Sequence, residues 1–134
     1  MHNQAYLLYL LDYNSWANDE FFKVIIKLPS DEIQKQRKSF MNSIRNSLNH
    51  LLVIDKVWLA NLKKEKHSFN NLQTILFDDM EELWQAKKNE ELIIKKYTSK
   101  LSSSQLGELV NCELIGGNNV NISQITLIEK SEYF

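Results

Sequence analysis

The chain has 134 residues, 43% of them hydrophobic and 25% charged, with a formal net charge of -1. This length suits one domain spanning residues 1–134, and a near-zero charge gives no overall field that attracts nucleic acid. The single cysteine, Cys112, fits a reducing cytoplasm, and no stretch approaches the roughly 20 apolar residues that span a bilayer, so we expect no membrane partner.

The first predicted helix runs from about Gln4 to Leu28, where Pro29 ends it. Apolar side chains recur in it at spacings of three and four residues, or of their sum, which places them on one face. These residues are Leu7, Leu10, Ala17, Phe21, Val24 and Leu28. The polar stretch 30–39 that follows is a connection with room for a short helical turn.

The second predicted helix spans about 42–63, and Lys63-Lys64-Glu65-Lys66 forms its solvated end. Its apolar stripe consists of Ile44, Leu48, Leu51, Trp58 and Leu62. Asp55 lies inside this stripe, which is an unusual position for a carboxylate.

The third predicted helix begins near Asn71, a good N-cap residue, and extends toward Lys100. Its periodic apolar residues are Leu72, Leu76, Met80, Leu83, Ile94, Tyr97 and Leu101. Lys87 and Glu90 fall on the same stripe, so we expect the helix to bend or to leave the core there.

Beyond residue 104 the pattern changes. Two short apolar segments, 109–115 and 120–127, flank Gly116-Gly117-Asn118-Asn119, which predicts a small hairpin. From about Ser123 the pattern also allows a helix. Three long amphipathic helices commonly complete a four-helix bundle, but only about twelve residues, or roughly 18 Å of helix, remain for a fourth element.

His50 is the candidate metal ligand, because it lies mid-helix among apolar residues and near Asp55. A histidine on an inner helix face can bind a metal through one ring nitrogen while an acceptor holds the other. The alternative is a hydrogen-bonded histidine without a ligand role, which the bare sequence favours. Asp55 can orient His50 or join a polar network, and a spacing of five residues favours the network.

Other polar residues have simpler interpretations. The dense group 13–18 on the first helix lines a pocket or, as we favour, holds helices together. His2 and His67 are expected to be solvated, and Cys112 to be a buried inert thiol. The sequence assigns no catalytic residue.

Three motifs, taken in order, resemble the DinB-like family. They are Tyr13-Asn14-x-Trp16-Ala17-Asn18, then Asn49-His50-Leu51-Leu52-x-x-Asp55-x-x-Trp58-Leu59, and finally the stretch 75–83. The resemblance covers about Tyr6 to Ile125. It implies an all-α four-helix bundle of the up-down-down-up type, often dimeric, with a divalent metal (Zn or Ni) at one end.

The resemblance also implies a ligand set and a chemistry. Family ligands are typically three histidines, of which one lies on the second helix and corresponds to His50. The other two lie in an HxxxH arrangement on the last helix. Related enzymes include thiol-dependent isomerases and S-transferases acting on small molecules.

The sequence departs from this pattern after Ile125, because no histidine follows His67. We therefore expect a short or absent last helix, an incomplete metal site and no metal-dependent activity as the chain stands. The alternative is an active metalloenzyme whose ligands are completed by the tail carboxylates of Glu129 and Glu132 or by a second subunit. The groove beside a short fourth element further predicts a homodimer or higher oligomer.

Overall fold

A computed structural model describes residues 3–38, 41–71 and 73–131. These residues form six helices and one antiparallel two-stranded sheet, so the predicted helical class is confirmed. The long helices are α1 (Asn3–Ile25), α3 (Ile44–Leu62) and α4 (Met80–Ser99). The short elements are α2 (Ser30–Gln34), α5 (Ser103–Leu106), β1 (Leu109–Glu113), β2 (Asn119–Ser123) and α6 (Gln124–Ser131). The up-down-down-up bundle arrangement stays a prediction.

Helix α3 is the central element. It starts after Ser43, whose hydroxyl accepts a hydrogen bond from the backbone N–H of Asn46 at 3.1 Å. Eleven of its nineteen residues are buried, which leaves it no wide solvent-facing side. The elements α2, α4, α6 and β1 all pack against it. The lysine-rich stretch 63–66 beyond its end is exposed, as predicted.

The buried face of helix α1 agrees only in part with the predicted one, because Leu7 belongs to both. Leu7, Leu11 and Phe22 are buried, whereas Phe21 and Val24, which the predicted stripe contained, are 49% and 61% exposed. Apolar and aromatic residues occur on both sides of this helix, so spacing alone admits two faces. Packing against α4 selects one of them.

The short helix α2 forms directly after Pro29, within the predicted connection.

Helix α4 begins nine residues later than the sequence predicted. Its N-cap is Asp79, whose carboxylate accepts a hydrogen bond from the N–H of Glu82 at 2.9 Å. The side-chain oxygen of Asn71 instead accepts a hydrogen bond from the N–H of Gln73. Leu72 lies outside the described residues. The helix then runs unbroken to Ser99, and the expected departure from the core at Lys87 does not occur.

The predicted hairpin is confirmed. Strands β1 and β2 pair antiparallel, with Cys112 opposite Val120, and Gly116 and Gly117 adopt φ of 105° and 91° in the turn. Such positive φ angles suit glycine because it has no Cβ. Helix α6 starts at Gln124, so the extended segment expected up to residue 127 ends at Ser123 and the helical alternative is correct beyond it.

The buried apolar side chains form two clusters. The hairpin-end cluster joins α1, α3, α4, α6 and β1 and includes Leu7, Leu11, Val53, Ile54, Val57, Trp58, Leu62, Ile94, Val110, Leu127 and Ile128. The α2-end cluster comprises Phe22, Ile25, Ile33, Leu48, Leu52, Met80 and Leu83. The core therefore has two parts along the length of the long helices.

Two buried asparagines of α3 fasten irregular or extended chain to this core. The Asn49 amide donates to the carbonyls of Arg45 and Phe77, and its oxygen accepts from the N–H groups of Leu76 and Phe77. Asn61 repeats the pattern, since it pairs with both the N–H and the carbonyl of Glu113 in β1. These side chains satisfy backbone groups that would otherwise be buried without partners.

We expect Asn49→Ala to destabilise the protein by about 2–4 kcal/mol, because it strands several buried backbone groups at once. Asn111→Ala is the matched control, since the Asn111 amide makes an exposed bond to Asn121, and it should change stability by less than about 0.5 kcal/mol. Urea unfolding followed by circular dichroism measures both. Equal effects of the two substitutions would contradict this role of Asn49.

Candidate functional site

Charged side chains are buried at mid-length of the long helices. Asp55 is 2% exposed, Lys87 4%, Glu90 6% and Glu91 8%. The three on α4 lie between Leu83 of the α2-end cluster and Ile94 of the hairpin-end cluster. Charged groups are buried this deeply only when they are paired. We call this group, together with Asn18 and Lys56, the polar layer.

Lys87 is the centre of the polar layer. Its ammonium donates a hydrogen bond to Oδ2 of Asp55, and it lies 3.6 Å from Oε2 of Glu91. The same Glu91 oxygen accepts a hydrogen bond from the Asn18 amide at 2.6 Å. A single lysine therefore links α4 to α3 directly and to α1 through Glu91.

A second ion pair continues the layer toward solvent. The Lys56 ammonium donates to Oε1 of Glu90 at 2.8 Å, and the Lys56 side chain is 35% exposed. Oε2 of Glu90 is buried and has no hydrogen-bond partner within the described part of the chain. Three carboxylates thus face two ammonium groups, so the layer has an excess of negative charge when all five are ionised.

This excess is reflected in the acidity of Asp55. Burial raises the pKa of its carboxyl from the usual 3.8 to about 6, and this outweighs the opposing attraction and hydrogen bond of Lys87. The charges of Glu91 and Glu90 raise the pKa further. A proton on Asp55 therefore relieves the charge imbalance of the layer under mildly acidic conditions.

The layer borders a cleft on its Lys56 side. The cleft has a volume of about 280 Å³, and its lining includes Lys56, Leu59, His67, Phe69 and Glu90. Water therefore has access to the Lys56–Glu90 pair from this side.

The polar network predicted for Asp55 is confirmed, but its partners were missed. Lys87 and Glu90 lie on the apolar stripe of the third predicted helix, where the sequence predicted a bend or a local departure from the core. A lysine on one buried stripe and an aspartate on another are complementary. That pairing of opposite charges was the signal that could have identified the layer.

His50 lies on a different side of α3 and is half-buried. Five residues of helix rotate it about 140° from Asp55, while Val53 and Ile54 lie three and four residues after it on its own face. Those two residues share the hairpin-end cluster with Leu127 and Ile128 of α6. His50 therefore lies on the side of α3 that carries Val53 and Ile54, and its role as a metal ligand stays a prediction.

The group 13–18 on the first helix is divided by the fold. Asn18 enters the polar layer, which agrees with the structural interpretation of this residue. Tyr13 and Trp16 point outward and are 58% and 59% exposed, with ring centroids 5.9 Å apart. The aromatic members of the group therefore line no interior pocket.

The sequence predicted that His67 is solvated, and this prediction is wrong. It is half-buried, its Nε2 lies 2.8 Å from the carbonyl oxygen of Glu113, and its Nδ1 accepts from the N–H of Phe69. Cys112 is fully buried, and burial raises the pKa of its thiol, as expected for an inert cysteine. His2 and Glu132 lie outside the described residues.

Two absences hold for residues 3–38, 41–71 and 73–131. No three histidine, cysteine, aspartate or glutamate side chains come together there in a metal-binding group. None of the helices described combines the length and hydrophobicity that crossing a bilayer requires.

Comparison with protein-family models identifies the family of the chain. The family model of the DinB family matches residues 1–111, a range that contains α1 to α5 together with the polar layer and His50. No curated protein matches the chain. The match covers well over half of the sequence and includes each of the three motifs on which the resemblance was based.

We expect Lys87→Met to destabilise the fold by about 3–5 kcal/mol, because it leaves Asp55 buried without its counter-ion. Adding Asp55→Leu should recover most of this loss. Lys88→Met is the matched control, since Lys88 is only half-buried over the Trp84 ring, and it should cost less than about 1 kcal/mol. Chemical unfolding compares the variants, and a double variant as unstable as Lys87→Met would contradict the pairing.

The pKa of Asp55 also predicts a pH dependence. Because the folded pKa of about 6 exceeds the usual 3.8, the folded state binds this proton more readily than the unfolded state. The resulting stability is fully present below about pH 4 and is lost as the pH rises through 6, a difference of roughly 3 kcal/mol. The free energy of unfolding of the wild type minus that of Asp55→Asn should therefore fall from pH 4 to pH 7. A difference that stays constant or rises with pH would show that burial does not dominate the pKa shift of Asp55.

Proposed function

Because the chain belongs to the DinB family, we propose that it provides that family's helical scaffold without a complete catalytic metal site among the residues described. As it stands, it then has no metal-dependent transferase activity of its own. The observation that supports this proposal is the use of the α3 carboxylate in a buried ion pair with Lys87.

The ligand supply of α3 is the first step of the argument. His50 and Asp55 are the only histidine and the only acidic residue between Ile44 and Leu62. Asp55 is bound by Lys87 and lies on another face than His50, so α3 offers one imidazole. Catalytic zinc sites use three protein ligands, and one imidazole competes poorly with water for a divalent ion.

The carboxylates of α4 are engaged in a similar way. Glu90 binds Lys56, and Glu91 accepts from Asn18 and lies beside Lys87. A divalent ion in the polar layer would have to displace ammonium groups that already neutralise these carboxylates. The arrangement therefore supports a structural role for the layer.

One observation favours the alternative of an active metalloenzyme acting on a small molecule. Helix α6 packs against α3, which carries His50, and Glu129 is half-buried on α6. A ligand set assembled there would combine His50 with tail carboxylates or with groups of a second subunit. Zinc or nickel would then activate a bound thiol or water.

Metal analysis distinguishes the two functions. After incubation with zinc or nickel and dialysis, we expect well below one metal ion per chain, with no difference between the wild type and His50→Ala. His67→Ala is the histidine control, because His67 is held by Glu113 and Phe69. One ion per chain that disappears in His50→Ala would overturn the proposal. Its additional loss in Glu129→Gln would support the alternative.

A further inference from the structure

The cleft beside Lys56 lies between α3, α4 and the segment 65–69 that follows α3. Its volume of about 280 Å³ is slightly below the roughly 300–1,000 Å³ of pockets that hold drug-sized ligands. Lys56 and Leu59, which line it, are rotated by about 120° and 180° around α3 from His50. The cleft is therefore separate from the candidate metal ligand and has room for a molecule smaller than a typical drug.

The ion pair of Lys56 and Glu90 forms a charged wall of this cleft. The Lys56 ammonium donates to Oε1 of Glu90 at 2.8 Å, and because an ammonium has three N–H donors, it can hold a second acceptor. Oε2 of Glu90 accepts no hydrogen bond from the residues that the structure describes, although the side chain is only 8% exposed. Buried carboxylate oxygens normally have a partner. The terminal torsion of a glutamate is soft, so Oε2 can turn toward a donor that enters the cleft.

Apolar side chains supply another part of the cleft wall. Leu59 is buried, and Phe69 is half-buried against the hairpin-end cluster. The rings of His67 and Phe69 stack with their centroids 6.3 Å apart. His67 is held by the carbonyl of Glu113 and accepts from the N–H of Phe69. The cleft therefore offers apolar contacts on a segment that is already fixed in place.

The charges of the cleft favour a ligand that carries both signs. Its lysines are Lys56, Lys63 and Lys66, and its glutamates are Glu65 and Glu90. A simple anion would be attracted by the lysines but would place negative charge beside Oε2 of Glu90. A simple cation would satisfy Glu90 but would be repelled by the lysines. A zwitterion avoids both conflicts, because its ammonium can face Glu90 while its carboxylate faces Lys56.

We propose that this cleft binds a free α-amino acid with an apolar side chain. The ammonium of the amino acid donates to Glu90 and its carboxylate accepts from Lys56, so that two ion pairs lie side by side with opposite polarity. The hydrogen bond between Lys56 and Glu90 stays in place, and the apolar side chain of the ligand packs against Leu59 and Phe69. This site does not depend on the metal proposal, because it uses neither His50 nor a metal ion.

An NMR titration of isotope-labelled protein with L-phenylalanine tests the proposal. For a ligand of about twelve non-hydrogen atoms, we expect a dissociation constant on the order of 1 mM. Saturable shifts should appear at the amide signals of residues 56–69 and of Glu90, which line or border the cleft.

Three related compounds separate the contacts of the ligand. Hydrocinnamate lacks the ammonium, phenethylamine lacks the carboxylate, and glycine lacks the apolar side chain. Each should bind the wild type at least about fivefold more weakly than L-phenylalanine does, because each loses one of the three contacts. This comparison needs no variant of the protein.

Substitutions test the charged wall directly. Glu90→Gln and Lys56→Met should each weaken the binding of L-phenylalanine by about tenfold, with an unchanged helical circular dichroism spectrum. Lys95→Met is the matched control, because Lys95 also pairs with a carboxylate, that of Asp12, but does not line the cleft. It should bind L-phenylalanine as tightly as the wild type does.

The proposal is wrong if L-phenylalanine causes no saturable shifts up to about 20 mM, or if Lys56→Met binds it as tightly as Lys95→Met. Equal binding of hydrocinnamate would assign the cleft to organic anions, equal binding of phenethylamine would assign it to organic cations, and equal binding of glycine would exclude recognition of an apolar side chain. Each of these results contradicts an apolar amino acid as the ligand.

Discussion

The buried ion pair between Lys87 and Asp55 fixes how the long helices of this protein meet. Removing one partner of such a pair costs several kcal/mol, whereas replacing both by apolar groups is often harmless. The pair therefore specifies one arrangement more than it adds stability. If α4 slid by one turn along α3, the Lys87 ammonium would enter an apolar cluster, and Asn18 of α1 would lose Glu91. The pair thus helps to set the heights of α3 and α4 relative to each other, and Glu91 links α1 to the same level through Asn18.

The same constraint separates structure from chemistry on α3. One side of this helix directs Asp55 toward Lys87, and His50 lies on another side. Acidic groups used to align helices are not available as ligands, so any family-like chemistry has to be built around His50 from other donors. The helix-aligning Asp55 and the candidate ligand His50 thus lie on different faces of one helix.

Sequence reasoning succeeded where local signals are sufficient. The bounds of α3 and the glycine turn of the hairpin follow from spacing and turn chemistry. It was wrong where distant residues decide: the start of α4 is delayed because Asn49 holds the backbone at Leu76 and Phe77. His67 is likewise held by a strand carbonyl 46 residues away. The inner face of α1 was predicted only in part, because apolar residues surround that helix.

The division of the core into two clusters has a consequence for motion. The hairpin-end and α2-end clusters are separated along α4 by charged groups, and half-buried Leu76 borders both. Cooperative units of unfolding follow contiguous apolar packing. Amide hydrogens at the two ends of α4 should consequently exchange with solvent through separate opening events. One end of α4 can then open while the other stays closed.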